Sequence, residues 1–204
     1  MTLAMHPDLR EITLEERLTR IDQIDLEPIA WALTQDKYGR PSDMTDDEAD
    51  IAILHYKMTL KLWLMEPGQT VTLTQMIDEV WHTHILDSTK YSRDMVWALG
   101  YVPQHFPYFG AQGPVELERL MNAHQATIPL YAKYFGVDPS EASVAWRQNH
   151  DARMRSFYQS PAELVDNSVS KCGTVRCCNA CNKVHEDIVD PTIEFGARMR
   201  RPGR

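Results

Sequence analysis

Three histidines and several carboxylates lie within a short central stretch of this 204-residue chain. The stretch contains the run Asp-Glu-Val-Trp-His-Thr-His from Asp78 to His84, and His105 follows in a Gln-His-Phe-Pro-Tyr-Phe-Gly segment. Imidazole nitrogens and carboxylate oxygens beside bulky apolar residues are the groups from which metal sites and buried polar sites are built. The stretch is therefore the first candidate for chemistry.

Helical spacing limits which of these residues can act together. Each residue of an α-helix turns by about 100°, so His82 and His84 point about 200° apart and cannot share one ion on an ideal helix. Asp78 lies four residues before His82 on the same face, where a carboxylate can orient an imidazole and fix its tautomer. His84 falls on the apolar face instead. Either the helix is distorted here, or one histidine is a core residue whose ring nitrogens are satisfied by its neighbours.

The rigid aromatic loop after this helix can aim His105 back at it. His82 or His84, together with His105 and one carboxylate, would form a two-histidine, one-carboxylate set of the kind that binds zinc or non-haem iron. The carboxylate has three candidates: Asp78, Glu79 and Asp87. A structural polar network is the alternative interpretation of the same residues, and both remain open at this point.

A second candidate metal site lies towards the end of the chain, where all four cysteines fall between Cys172 and Cys181. Cys178 and Cys181 have the spacing that wraps two thiolates around zinc, and His185 could add a nitrogen. Cys172 or Cys177 would complete four ligands. A redox pair and free thiols are the alternatives for this cluster.

Composition excludes several classes of function. A formal net charge of −8 disfavours binding to nucleic acids or anionic membranes, which depends on positive surface potential. The basic stretch from Arg198 to Arg204 is a local exception, predicted to be a solvated terminus rather than a binding arm. No apolar run reaches the ~20 residues of a membrane span, and the start lacks the pattern of a secretory signal. A cytoplasmic location is therefore predicted.

Helical periodicity dominates the elements that must position these residues. Predicted helices cover 14–24, 26–36, 45–65, 115–135 and 140–157, and a further helix begins after Thr72 or Thr74 and ends at Gly100. Asp87 and Ser88 are predicted to bend or restart that helix. Almost no strand pattern is present. The sequence thus predicts an all-α domain of five to seven helices over residues 1–160, followed by an irregular cysteine-rich extension over 161–204.

The run from Asp78 to Asp94, with Leu99-Gly100 and the segment from His105 to Gly110, resembles the glycine-rich domain-containing protein-like family of plants, fungi and bacteria. Members share a Trp-His-x-His segment on a helix, a downstream Tyr and Asp, and a His-Phe-Pro-Tyr-type loop. The resemblance implies a helical fold but no particular reaction. Gln104 stands where many relatives carry a second histidine. The signature positions that the resemblance marks are Asp78, Trp81, His82, His84, Tyr91, Asp94, His105, Pro107 and Tyr108.

Two functions are predicted from these observations. The first is a metal-dependent enzyme or metal-handling protein that holds a divalent ion, zinc or iron. Its predicted ligands are His82, His84, His105, Cys172, Cys178, Cys181 and His185, and its pocket residues are Asp78, Trp81, Tyr91, Asp94 and Tyr108. The second is a non-enzymatic interaction module with a structural polar core and a zinc-stabilised or disordered cysteine tail. In either case the predicted partner is a protein or a small molecule.

Overall fold

The computed structural model describes residues 12–37, 40–105, 109–110, 112–159, 200–201 and 203. Within these ranges the chain forms seven α-helices and no strand, which confirms the predicted all-α fold. A break at Asp87 separates the fourth helix from the fifth, so the predicted restart is present. In chain order the helices are α1 (Leu14–Gln23), α2 (Glu27–Thr34), α3 (Asp46–Met65), α4 (Gln75–Leu86), α5 (Ser88–Leu99), α6 (Pro114–Phe135) and α7 (Pro139–Gln159).

Local sequence signals set the start of α3 and the end of α5. At the start of α3, the Thr45 side chain accepts from the Glu48 N–H and the Glu48 carboxylate accepts from the Thr45 N–H, which is a complete capping box. At the end of α5, Gly100 has a positive φ of 83°. This backbone conformation favours glycine, and a Cβ there would lie 2.7 Å from Nη1 of Arg17, so that side chain would have to shift.

Helix α3 forms the centre of the fold, because it packs against α1, α2, α4, α6 and α7. Helix α4 packs against α2, α3, α5 and α7, so its inner face is enclosed. Burying these apolar faces supplies the main driving force for the arrangement. The largest fully buried side chains include Tyr56, Leu60, Met76, Ile77, Met95 and Leu99. One side of α4 therefore lies in the core, while its opposite side remains available for a site.

Helix α6 has two buried residues along its length, Thr127 and Tyr131. The buried hydroxyls of Tyr131 and Thr59 lie 2.5 Å apart and join α6 to α3. Leu117 and Met121, four residues apart on α6, are each about half exposed. None of the helices in the described ranges combines the length and apolar character that a membrane crossing requires.

Burial of His55 on α3 predicts a specific loss of stability in weak acid. Burial lowers the pKa of His55, and its Nδ1 has no hydrogen-bond partner. The folded state therefore favours the neutral ring of His55. The stability that depends on the neutral ring is fully present above the unfolded pKa near 6.5 and is lost as the pH falls below it. We expect the free energy of unfolding to decrease between pH 6.5 and 5.5, by at most about 1.4 kcal/mol per pH unit for this histidine.

Urea unfolding of the unmodified chain and of His55→Gln at pH 7.5, 6.5 and 5.5 measures this effect. The variant should show a shallower loss of stability over that interval, because glutamine takes up no proton there. An identical slope for both proteins would contradict the prediction.

Candidate metal centre

Asp78, His82 and His105 meet on the side of α4 that faces away from the core. Nε2 of His82 lies 2.9 Å from Nε2 of His105, and Nδ1 of His82 lies 3.5 Å from Oδ2 of Asp78. One donor atom from each of the three residues lies within 4.8 Å of those of the other two. In the described ranges, this is the one group of three or more histidine, cysteine or acidic residues with such spacing.

The distance between the two imidazoles is close to what a shared ion needs. Bonds of about 2.1 Å separate two nitrogens by about 3.0 Å at a right angle and by about 3.4 Å at a tetrahedral angle. The observed 2.9 Å therefore suits adjacent ligands after a shift of at most about half an ångström for tetrahedral geometry. In the metal-free state, one ring N–H can donate to the lone pair of the other ring at the same distance.

The electrostatic surroundings keep the histidine of the loop in the form that binds metal. Burial lowers the pKa of His105, and a positive charge on His82 lowers it further, while Asp78 acts in the opposite direction. Burial raises the pKa of Asp78, and the two histidines partly reverse that shift. A neutral imidazole with a free lone pair is the state that a metal ligand must have.

Solvent can reach this group. The side chains of His82 and Asp78 are 41% and 38% exposed. An ion held there would keep positions open to water or to another molecule, as catalytic zinc sites do.

Trp81 and Tyr91 hold the segment that presents His105. Nε1 of Trp81 donates to the Tyr91 hydroxyl at 3.0 Å, and that hydroxyl donates to the carbonyl oxygen of Pro103 at 2.8 Å. The ring of His105 also packs edge-on against Trp81, with 5.0 Å between centroids. This chain of contacts joins α4 and α5 to the backbone two residues before His105, and it therefore limits where the imidazole can move.

His84 lies in a buried network on the core side of α4, and its ring packs edge-on against Tyr91 with 5.1 Å between centroids. Its Nδ1 lies 3.2 Å from the Tyr56 hydroxyl, and its Nε2 lies 3.3 Å from Oδ2 of Asp94 in a poorly aligned contact. Lys90 donates to the same carboxylate oxygen at 2.6 Å. Burial lowers the pKa of His84 and so favours the neutral ring; a proton on Nε2 then faces the Asp94 carboxylate and leaves Nδ1 to accept from Tyr56.

The charges inside this network are set by the contacts that the residues make. Burial by itself would raise the pKa of Asp94, but the contacts from His84 and Lys90 outweigh it and hold the pKa below its usual value. Burial raises the pKa of Tyr56 well above its ordinary value and that of Tyr91 to about 12, so both phenols are protonated donors.

The structure thus divides the predicted site residues into three sets. Asp78, His82 and His105 come together, with Trp81 and Tyr91 beside them. His84 and Asp94 belong to the core network, so His84 lies outside the three-residue group, as the wide angle between the two helix faces requires. Positions outside the described residues are Pro107, Tyr108, Cys172, Cys178, Cys181 and His185.

Two residues of the core network were not identified from the sequence. Lys90 precedes Asp94 by four residues, a spacing that places an ion pair on one helix face and could have indicated the contact. Tyr56 lies on α3, 28 positions before His84, and no local signal connects the two. Only packing of α3 against α4 reveals this partner.

No family model, curated protein or solved structure matches this chain. The resemblance to the glycine-rich domain-containing protein-like family therefore stays a prediction.

Proposed function

We propose that this protein binds a divalent transition-metal ion, with zinc as the first candidate, through His82, His105 and Asp78. The observation that carries the proposal is the 2.9 Å approach of the two Nε2 atoms beside a carboxylate. Two imidazoles and one carboxylate form a donor set that zinc and non-haem iron both accept.

The position of the group on the surface supports an enzymatic role rather than a purely structural one. Structural zinc sites use four protein ligands, whereas a site with three leaves a position for water or substrate. An ion bound here would polarise a substrate oxygen or lower the pKa of its bound water. We propose a metal-dependent enzyme of this kind, in which Trp81 forms an aromatic wall beside His105.

Zinc titration of the full chain tests the proposal, provided that the cysteines are removed as competing ligands. In a chain with Cys172, Cys177, Cys178 and Cys181 changed to serine, isothermal titration calorimetry should show one equivalent of bound zinc. Failure of this chain to bind zinc at micromolar concentrations would contradict a site at the histidines. Zinc that binds only when the cysteines are present would assign the metal to the cysteine cluster instead.

Removing the Tyr91 hydroxyl should weaken metal binding without unfolding the protein. Tyr91→Phe keeps the packed ring but loses the hydroxyl that donates to the Pro103 carbonyl oxygen. The segment before His105 is then less fixed in the free protein, so ion binding must also order the His105 ring, and this lowers the affinity. We expect zinc affinity in the cysteine-free chain to fall about 10-fold or more.

Tyr131→Phe is a matched control, because it also removes a buried hydroxyl that is bonded to a neighbouring helix. It should lower thermal stability while leaving zinc affinity within about twofold, since it lies outside the supports of the site. Equal losses of zinc affinity in both variants would contradict a positioning role for Tyr91.

A second candidate function is a non-enzymatic interaction module. The observation that favours it is the pair Leu117 and Met121, which exposes apolar surface on helix α6. On this interpretation, the His82–His105 contact is a hydrogen bond between the two rings. The two candidates differ in the zinc titration, because only the first requires metal at the histidines.

A further inference from the structure

The guanidinium of Arg201 is buried in an acidic cleft between α2 and α3. Its Nε and Nη2 atoms bond both carboxylate oxygens of Glu27, at 2.8 and 3.1 Å. Nη2 also bonds Asp50 at 2.6 Å, and Nη1 bonds the carbonyl oxygen of Asp46 at 3.0 Å. Arg201 is only 4% exposed. The prediction of a solvated basic terminus is therefore wrong at this residue, because acceptors in the cleft bond all three nitrogens of its guanidinium group.

The neighbouring arginine extends the contact. Arg200 bonds Oδ2 of Asp25 at 2.6 Å, at the rim of the same cleft. The backbone N–H of Arg201 donates to Glu27, so the main chain is held as well as the side chain. A cavity of about 340 Å³ remains beside the docked arginine pair, and Ile24, Leu26, Ile53 and Lys57 line it together with the pair and its acidic partners.

The geometry selects arginine rather than positive charge in general. Acidic residues in the first turns of α2 and α3 interact favourably with the helix dipoles, and that interaction by itself does not require a bound cation. A planar fork with five donors matches the two-oxygen contact with Glu27 and the further acceptors around it, whereas a lysine ammonium is a single point charge.

We infer that the α2–α3 cleft is a recognition site for an arginine pair, and that its resident ligand is Arg200–Arg201 of the same chain. This inference is independent of the proposed metal site. In sequence, residues 160–199 separate this pair from the end of α7 at Gln159.

The resident pair should compete with an added arginine peptide. A ligand in the same chain has an effective concentration on the order of 1 mM. A peptide with an intrinsic dissociation constant of about 100 µM would then bind the unmodified chain roughly tenfold more weakly than a chain whose own pair is removed.

Fluorescence anisotropy with a labelled peptide of sequence Ala-Arg-Met-Arg-Arg-Pro-Gly, which corresponds to residues 197–203, tests this inference. The full chain with Arg200→Ala and Arg201→Ala should bind the peptide, and the unmodified chain should bind it about tenfold more weakly. A peptide with lysine at both positions should bind the substituted chain several-fold more weakly than the arginine peptide does. Absence of peptide binding to the substituted chain would overturn the inference.

A second measurement uses the acidic side of the cleft. Asp50→Asn, added to the substituted chain, should weaken peptide binding about tenfold, because a charge-assisted bond is lost. Asp47→Asn is the matched control, since it removes the same charge from an exposed position of the same helix. Equal effects of the two substitutions would show general electrostatic attraction and would overturn the inference. Circular dichroism of each variant verifies its helical fold.

Discussion

Replacing Asp94 by alanine should lower the free energy of unfolding by about 3–5 kcal/mol. Lys90 and Asp94 are 7% and 8% exposed, and they form a 2.6 Å contact in the core network. Removing the carboxylate leaves the Lys90 ammonium buried without its counter-charge and takes the acceptor away from His84. Urea unfolding at pH 7.5, followed by tryptophan fluorescence, measures the loss.

A double substitution separates the cost of a stranded charge from the cost of lost packing. Lys90→Met together with Asp94→Leu removes both charges and keeps side chains of similar size, so we expect it to recover more than half of the lost stability. A single-variant loss below about 1 kcal/mol would show that the pair is effectively solvated and would contradict the prediction.

Replacing His105 by alanine should abolish most zinc binding in the cysteine-free chain. Even a residue that only supports a metal ligand contributes about 10–100-fold to affinity, so removal of a ligand should cost more than about 100-fold. His82→Ala should have the same effect, because its Nε2 faces the same point. Isothermal titration calorimetry gives the affinity, and thermal unfolding with and without zinc gives an independent measure, since an ion that binds only the folded state raises the melting temperature.

His124→Ala is the control for this pair of variants. His124 lies on α6 and bonds the Thr72 hydroxyl through Nδ1 at 3.1 Å, outside the three-residue group. Its removal should leave zinc affinity within about twofold. Zinc binding that survives His105→Ala at full strength, or that falls equally in the control, would contradict the assignment.

Asp78→Asn then distinguishes two roles of the carboxylate. As a ligand, Asp78 would place its own oxygen on the ion, and the amide would lower affinity by more than about 100-fold. If Asp78 instead orients His82 through the 3.5 Å contact with Nδ1, its replacement would lower zinc affinity only about 10-fold.

Sequence patterns predicted the helices well, because the signals involved are local. The Thr45–Glu48 capping box, the positive φ required at Gly100 and the three- and four-residue apolar spacing all act within a few residues of one another. The separation of His82 from His84 was also predictable, since it follows from the rotation per residue of a helix.

The site could be predicted only in part. The one-turn spacing of Asp78 and His82 is visible in the sequence, but the choice of His82 rather than His84 as the partner of His105 depends on where the segment 101–105 returns. That path is set by the Tyr91 bond to Pro103, which no local pattern encodes.

By itself, the amino-acid order determined which segments become helices and which face of each helix carries apolar, basic or acidic groups. The tertiary structure alone decided that the rings of His82 and His105 meet, that Tyr56 reaches His84, and that Arg201 enters the cleft beside Glu27. The physical reason is range: periodicity and capping act over one or two turns, whereas these contacts join residues 23 to 174 positions apart and form only when buried faces have packed.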